Sequence, residues 1–309
     1  MERRTTKKIF SVYLEYLKIM RPNTYKSYRF LYPKVASFFD LKTKITLNDI
    51  LEFRKWMMNQ KSRLGKPYSE STINRHLDFC RAAFNRSKIV PNPFMDYGRC
   101  KEEPRTRYLT EDELERLFIA LATSDHPHLP IIVLTAIFTG LRKRAVLSLH
   151  DCCIDFGNRL INVREKGGKL MTVNLPLVLI PTFENLLKQN PSGYLFENKV
   201  TGDKWAYIEK PWRKVKQKAG LKDFRFHDLR HTFATYTLLV SGNLRLVQSL
   251  LGHADFKTTA KYAHILTKQK EIVVEQVVDK ISSKGADAIL RKALKSKDEK
   301  TSPINRCSL

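Results

Sequence analysis

The stretch FRFHDLRHTFATY, residues 224–236, sets His227, Arg230 and His231 within five positions of a chain that has eight histidines in all. Apolar residues flank the trio on both sides. In a helix, positions three and four apart fall on one face, so the pattern predicts a packed helix that points two imidazoles and a guanidinium the same way. A zinc motif would carry a glutamate base between the histidines and a third ligand, and the sequence suggests neither. The trio suits an anion instead.

Composition indicates which kind of anion. Lys and Arg number 56 against 31 Asp and Glu, a net charge of +25 over 309 residues, of which 42% are hydrophobic. The excess is not a tail: residues 1–100 carry net +13 and residues 101–309 net +12. Both parts therefore face a polyanion. Nucleic acid is the leading candidate, because each phosphate neutralised releases counterions and adds sequence-independent affinity. The length is enough for two self-supporting cores. No apolar run spans a bilayer, and MERRTTKKIF leads into a patterned helix without a signal-peptide core. A cytoplasmic, nucleoid-associated protein with no membrane partner is expected. Cys80, Cys100, Cys152, Cys153 and Cys307 form no CxxC pair and read as reduced, mostly structural thiols.

The first hundred residues read as four helices in a compact bundle: SVYLEYLKIM, SYRFLYPKVASFFD, NDILEFRKWMMNQ with a cap-like Asn48 and Asp49, and SESTINRHLDFCRAAFNRSKI. Lys26, Arg29, Arg75, Arg81 and Arg86 stand among aromatics on its polar faces, as a DNA-facing surface would require. The pattern breaks between Val90 and Thr110, where three prolines, a glycine and seven charges mark a linker with a boundary near residue 103. Thr110 then caps a helix whose first turn is acidic. PIIVLTAIFTGLRKRAVLSL reads as two helices separated at Thr139-Gly140, and RLINVRE and LMTVNLP as a β-hairpin turned at Gly167-Gly168. From Pro181 onward the chain returns to helices.

Several sequence-distant residues make up a set that can break a phosphodiester without metal. Arg142 follows Thr139-Gly140-Leu141 at a helix start, and Arg230 lies in HDLRH. Two guanidiniums can present forks of donors to the non-bridging oxygens of one phosphate and stabilise the charge of a pentacoordinate phosphorus. Lys166 and Lys169 sit at the hairpin tip. A lysine there can protonate a leaving 5′-oxygen if neighbouring positive charge lowers its pKa; taken alone, KGGK reads as a phosphate contact.

TGLRKRAVLSL, EKGGK, HDLRHTFA and LLGHADFKTTAKY occur in the order and approximate separations of the tyrosine recombinases, the class of phage integrases and Xer recombinases, which this chain resembles from about residue 107 to 265. The helical N-terminal segment is similar, more loosely, to their core-binding domain. The resemblance implies a mainly α fold with a small β-sheet: a helical, SAM-like core-binding domain at 1–96, a linker at 97–106, an α+β catalytic domain at 107–283 and a basic tail at 284–309, forming a C-shaped clamp around DNA. It also implies that Arg142 and Arg230 clamp the phosphate and that Lys166 is the general acid, with Lys169 second choice. His227 becomes a base or proton shuttle, His253 a phosphate donor, Tyr262 the nucleophile, and His231 takes a supporting place.

The implied reaction is site-specific recombination through a 3′-phosphotyrosine, with no metal, ATP or cofactor. Double-stranded target sites are the partner, with a dimer on each site and a tetramer in the synapse. A type IB topoisomerase shares the catalytic set, but the small bundle and the stripe Val274, Val277, Val278 and Ile281 beyond the tyrosine favour recombination. A non-catalytic DNA-binding protein would have no reason to retain the whole set. One departure stands out: Ala145 replaces the acidic residue usual three positions after the first arginine. The bundle's position near the N-terminus is similar to Xer-type and small mobile-element enzymes, which lack an arm-type domain.

Overall fold

The computed structural model describes residues 5–263, apart from Leu41, Thr43, Arg63, Leu64, Asp96, Lys101, Glu103, Pro104, residues 165–167, Lys169, His253 and Ala254. The chain divides into two compact units, Met1–Pro104 and Arg105–Leu309.

The first unit holds α1 (Thr6–Met20), α2 (Pro22–Tyr28), α3 (Tyr32–Phe39), α4 (Leu47–Asn59) and α5 (Glu70–Arg86). The single helix expected over residues 27–40 is therefore two. Pro22 and Pro33 each stand in a first turn, where the missing N–H costs nothing and the fixed φ suits a start. The cap of α4 also lies earlier than expected. The Thr46 hydroxyl accepts from the Asp49 N–H and the Asp49 carboxylate accepts from the Thr46 N–H, a reciprocal capping box. The core is aromatic: Phe10, Phe39, Phe53, Phe79 and Phe94 are fully buried, and Phe79 receives Phe10 at 5.6 Å and the edge of Tyr28 at 5.5 Å. Part of the expected linker belongs to this core. Phe94 and Tyr97 are buried in it, and Arg54 donates to the Gly98 carbonyl, because two aromatic anchors outweigh the turn-forming prolines around them.

The second unit begins with α6 (Glu111–Ala122), capped by Thr110, and continues with α7 (Leu129–Thr139) and α8 (Lys143–Leu147). An antiparallel sheet of order β1-β2-β3 follows, made of Ile154–Asp155, Leu160–Arg164 and Leu170–Asn174, with Arg164 opposite Leu170. The hairpin was legible; the short β1 was not. Then come α9 (Ile180–Gln189), the two-residue pair β4 (Glu197–Asn198) and β5 (Asp203–Lys204), α10 (Glu209–Lys218), α11 (Asp228–Ser241), α12 (Leu244–Leu251) and α13 (Lys257–Ala260). Helix α7 is apolar nearly all round and packs against α11, as a helix without a polar face must. A separate small cluster joins Ala234, Leu238, Val247 and Leu251 with Tyr262. Beside it, α6, α7, α11 and α12 leave an apolar groove of about 680 Å³ lined by Phe118, Phe138, Phe233, Tyr236, Val240 and Leu246, among others. No described helix is long and apolar enough to cross a membrane.

Candidate active site

Helix α7 ends at Gly140, whose φ of 66° is left-handed. A Cβ there would collide with the ring of Phe233 on α11, so glycine is required both by conformation and by space. The chain leaves this turn in extended form at Arg142, the residue before α8. Arg142, Lys143, Arg144, Phe226 and His227 line one cavity of about 440 Å³, with Lys143 also paired to Glu209.

Helix α11 carries the other half of the site. Arg230 is 3% exposed. Its Nη1 donates to the Gly140 carbonyl at 2.8 Å and its Nη2 to the Leu251 carbonyl at 2.5 Å. One guanidinium thus holds the turn before Arg142 and the end of α12. A guanidinium has five N–H donors, so these two bonds leave capacity for an anion. Burial, and next the charge of Arg142, press its pKa down to about 10; Arg142 is itself pushed down by burial. Two cations this close gain stabilisation from an anion placed between them.

Tyr262 is buried at 2% exposure, just beyond α13, and its hydroxyl lies 2.5 Å from Nδ1 of His231. Burial, followed by the charge of Lys261, depresses His231 to about 3, so the imidazole is neutral, and with its proton on Nε2 the Nδ1 accepts from the phenol. Burial raises the tyrosine, opposed by Arg230. The pair is a protonated phenol beside a neutral imidazole. The His227 ring stands edge-on to His231, with centroids 5.2 Å apart. His227 is open to solvent on one side and crowded on the other; lost hydration, then Arg230, Lys261 and Arg142, hold it below the ordinary histidine value.

The structure therefore brings Arg142, His227, Arg230, His231 and Tyr262 together, while Lys166, Lys169, His253 and the stripe 274–281 lie outside the described residues. The chain leading to His253 is placed by Gly252, at φ 63°, where a Cβ would press on the Met171 sulfur of β3. On the first unit Lys26, Arg29, Arg75 and Arg86 are exposed, and Arg86 lies 4.0 Å from the Tyr16 ring. Arg81 differs, since it pairs with Asp78 at 2.8 Å, an acceptor shared with Tyr97.

Sequence reasoning missed three contributors. Asp228 is 1% exposed and accepts from Arg105 through Nε at 2.9 Å and Nη2 at 2.8 Å, and from the Arg225 N–H at 2.8 Å. Thr232 accepts from the Leu109 N–H at 3.1 Å. Residues 105–109 thus strap the start of α11. Lys261, with its Nζ 5.1 Å from the Tyr262 ring, adds a third cation. Its adjacency to Tyr262 was the only available signal.

Known proteins resemble this chain in sequence and fold. A profile of the phage integrase family matches residues 107–269. The tyrosine recombinase XerA of Pyrococcus furiosus is 32% identical over 276 residues, covering 86% of this chain and 92% of that protein. A tyrosine recombinase of Thermosipho africanus is 27% identical over 281 residues, covering 87% and 98%. Among solved structures, the Tn1549 transposon integrase in complex with circular intermediate DNA superposes with a TM-score of 0.66 at 21% identity, over 84% of this chain and 94% of that one. With two arginines, two histidines and a buried tyrosine gathered at one site of a matching fold, the chain belongs to the phage integrase family of tyrosine recombinases and is a site-specific recombinase that cleaves and rejoins DNA.

Proposed function

We propose that Tyr262 attacks the scissile phosphorus to give a 3′-phosphotyrosine, with Arg142 and Arg230 holding the non-bridging oxygens. The observation that carries this reading is the bond from the Tyr262 hydroxyl to His231 beside Arg230. His231 is the first acceptor of the phenolic proton and His227 passes it toward solvent. Lys166 protonates the departing 5′-oxygen, with Lys169 as its reserve, and His253 donates to the phosphate. The attack forms the Tyr Oη–P bond as the P–O5′ bond breaks, so a partner 5′-hydroxyl can reverse it without ATP. Tyr262 must leave its buried position to meet a duplex.

The enzyme works on double-stranded sites in nucleoid DNA. The exposed cations Lys26, Arg29, Arg75 and Arg86 supply phosphate contacts. Dimers form on each site and a tetramer in the synapse. The apolar groove of α6, α7, α11 and α12 offers a complementary seat for Val274, Val277, Val278 and Ile281 of a neighbouring protomer.

The test is a nicked suicide substrate carrying the candidate target site, incubated in EDTA with wild type and Tyr262→Phe. Wild type is expected to give a denaturation-resistant protein–DNA adduct and the variant none. Adduct from the variant would identify another nucleophile, and none from wild type on bound DNA would favour a non-catalytic binder.

A further inference from the structure

Outside the phosphate site, the sequence His150-Asp151-Cys152-Cys153 folds into a 3-10 turn, Asp151–Cys153, ahead of β1. Three features fix the imidazole of His150. Its ring lies over Gly193, where a Cβ would come within 2.6 Å of Nε2. Its face meets Tyr194 edge-on at 5.0 Å. Its Nε2 lies 3.1 Å from the Ser192 carbonyl, which can only accept. In the neutral imidazole Nε2 therefore carries the proton and Nδ1 the lone pair.

That lone pair is buried and has no hydrogen-bond donor. It faces the Asp151 carboxylate, a second acceptor, and the side-chain ligand atoms of His150, Asp151 and Cys152 all lie within 4.8 Å of one another. Two acceptors and a thiol turned together need a positive charge between them. A nitrogen, an oxygen and a sulfur donor select a borderline cation over magnesium or calcium, and a histidine whose other nitrogen donates to a backbone carbonyl is the usual second-shell arrangement of a metal ligand.

We propose that His150 Nδ1, the Asp151 carboxylate and the Cys152 thiolate bind a zinc-class divalent cation. The Cys152 thiol releases its proton to solvent as the metal–sulfur bond forms. The cation sits apart from Arg142, Arg230 and Tyr262 in the chain's chemistry and takes no part in strand cleavage. It fastens the turn before β1 to residues 192–194, already joined by the Asp151 N–H to Gly193 carbonyl bond of 2.9 Å.

The test is titration of the reduced full chain with Co²⁺ under anaerobic conditions. We expect one equivalent bound with a thiolate-to-cobalt charge-transfer band, displaced by Zn²⁺. Cys152→Ser loses the band, and His150→Gln weakens binding at least tenfold. Cys100→Ser, in the first unit, leaves the signal unchanged. Circular dichroism checks that each variant is folded. Absence of a thiolate band in the wild type overturns the site, as does a band that survives unaltered in folded Cys152→Ser.

Discussion

The two units bury different things. In the first, no Lys, Arg, Asp or Glu among the described residues is buried, and the largest interior side chains are phenylalanines. In the second, α11 alone buries Asp228, Arg230, His231, Thr232 and Thr235. Burying charge is unfavourable unless each group is paired and hydrogen-bonded, so the polar interior of α11 marks where geometry is held for chemistry. The first unit keeps its cations outside, where they can meet phosphates without a desolvation cost.

The contrast can be broken most directly at the two arginines. Arg142→Ala and Arg230→Ala are both expected to lower strand cleavage by about 10³-fold or more, as loss of a charge-stabilising group does. Arg230→Ala should also cost about 2–4 kcal/mol in urea unfolding, because the Gly140 and Leu251 carbonyls lose their donor. Unchanged stability of Arg230→Ala would show that the two carbonyl bonds do not hold the polar interior of α11 in place.

Arg105→Ala tests the strap. It leaves the Asp228 carboxylate buried without its partner and should destabilise by about 2–3 kcal/mol, less than a fully buried pair because the Arg105 side chain is 25% exposed. Adding Asp228→Asn should recover part of that loss in a double-mutant cycle. A purely additive cycle would separate the strap from the helix.

His231 sharpens the comparison through pH. Its folded pKa, about 3, lies below the ordinary 6.5, so the unfolded chain binds a proton that the folded chain does not. Stability should fall as pH drops from about 6.5 towards 3, and His231→Asn should flatten that slope by up to about one proton. The smallest effect is expected in the first unit. Arg75→Ala should change stability by less than about 0.5 kcal/mol while reducing the slope of log affinity against log salt by about 0.9.

Legibility followed locality. HDLRH was readable because three polar groups at helical spacing lie within one helix turn, and the hairpin because its strands alternate on either side of KGGK. The break between α2 and α3 was missed because the aromatic run over residues 27–40 keeps helical spacing through Pro33. The division of labour between the histidines depends on where α11 begins. His227 stands before its first turn and His231 inside it, and only the second reaches Tyr262. Arg105 carried no signal at all, since its partner lies 123 positions away and a linker arginine resembles any other.

The bond between Arg230 and Gly140 joins residues 90 positions apart, and this bears on how such a chain can vary. Because Arg230 and the turn before Arg142 register by touching, the length of the path between them is not a setting. The intervening chain carries outward turns such as that at Val200, which is 93% exposed. Segments there can be lengthened, shortened or exchanged while the arginines keep their mutual aim. Diversity in target choice and protein contacts can accumulate on such outward turns, and the registry of the two arginines is insulated from it by a single side chain and a missing methyl group.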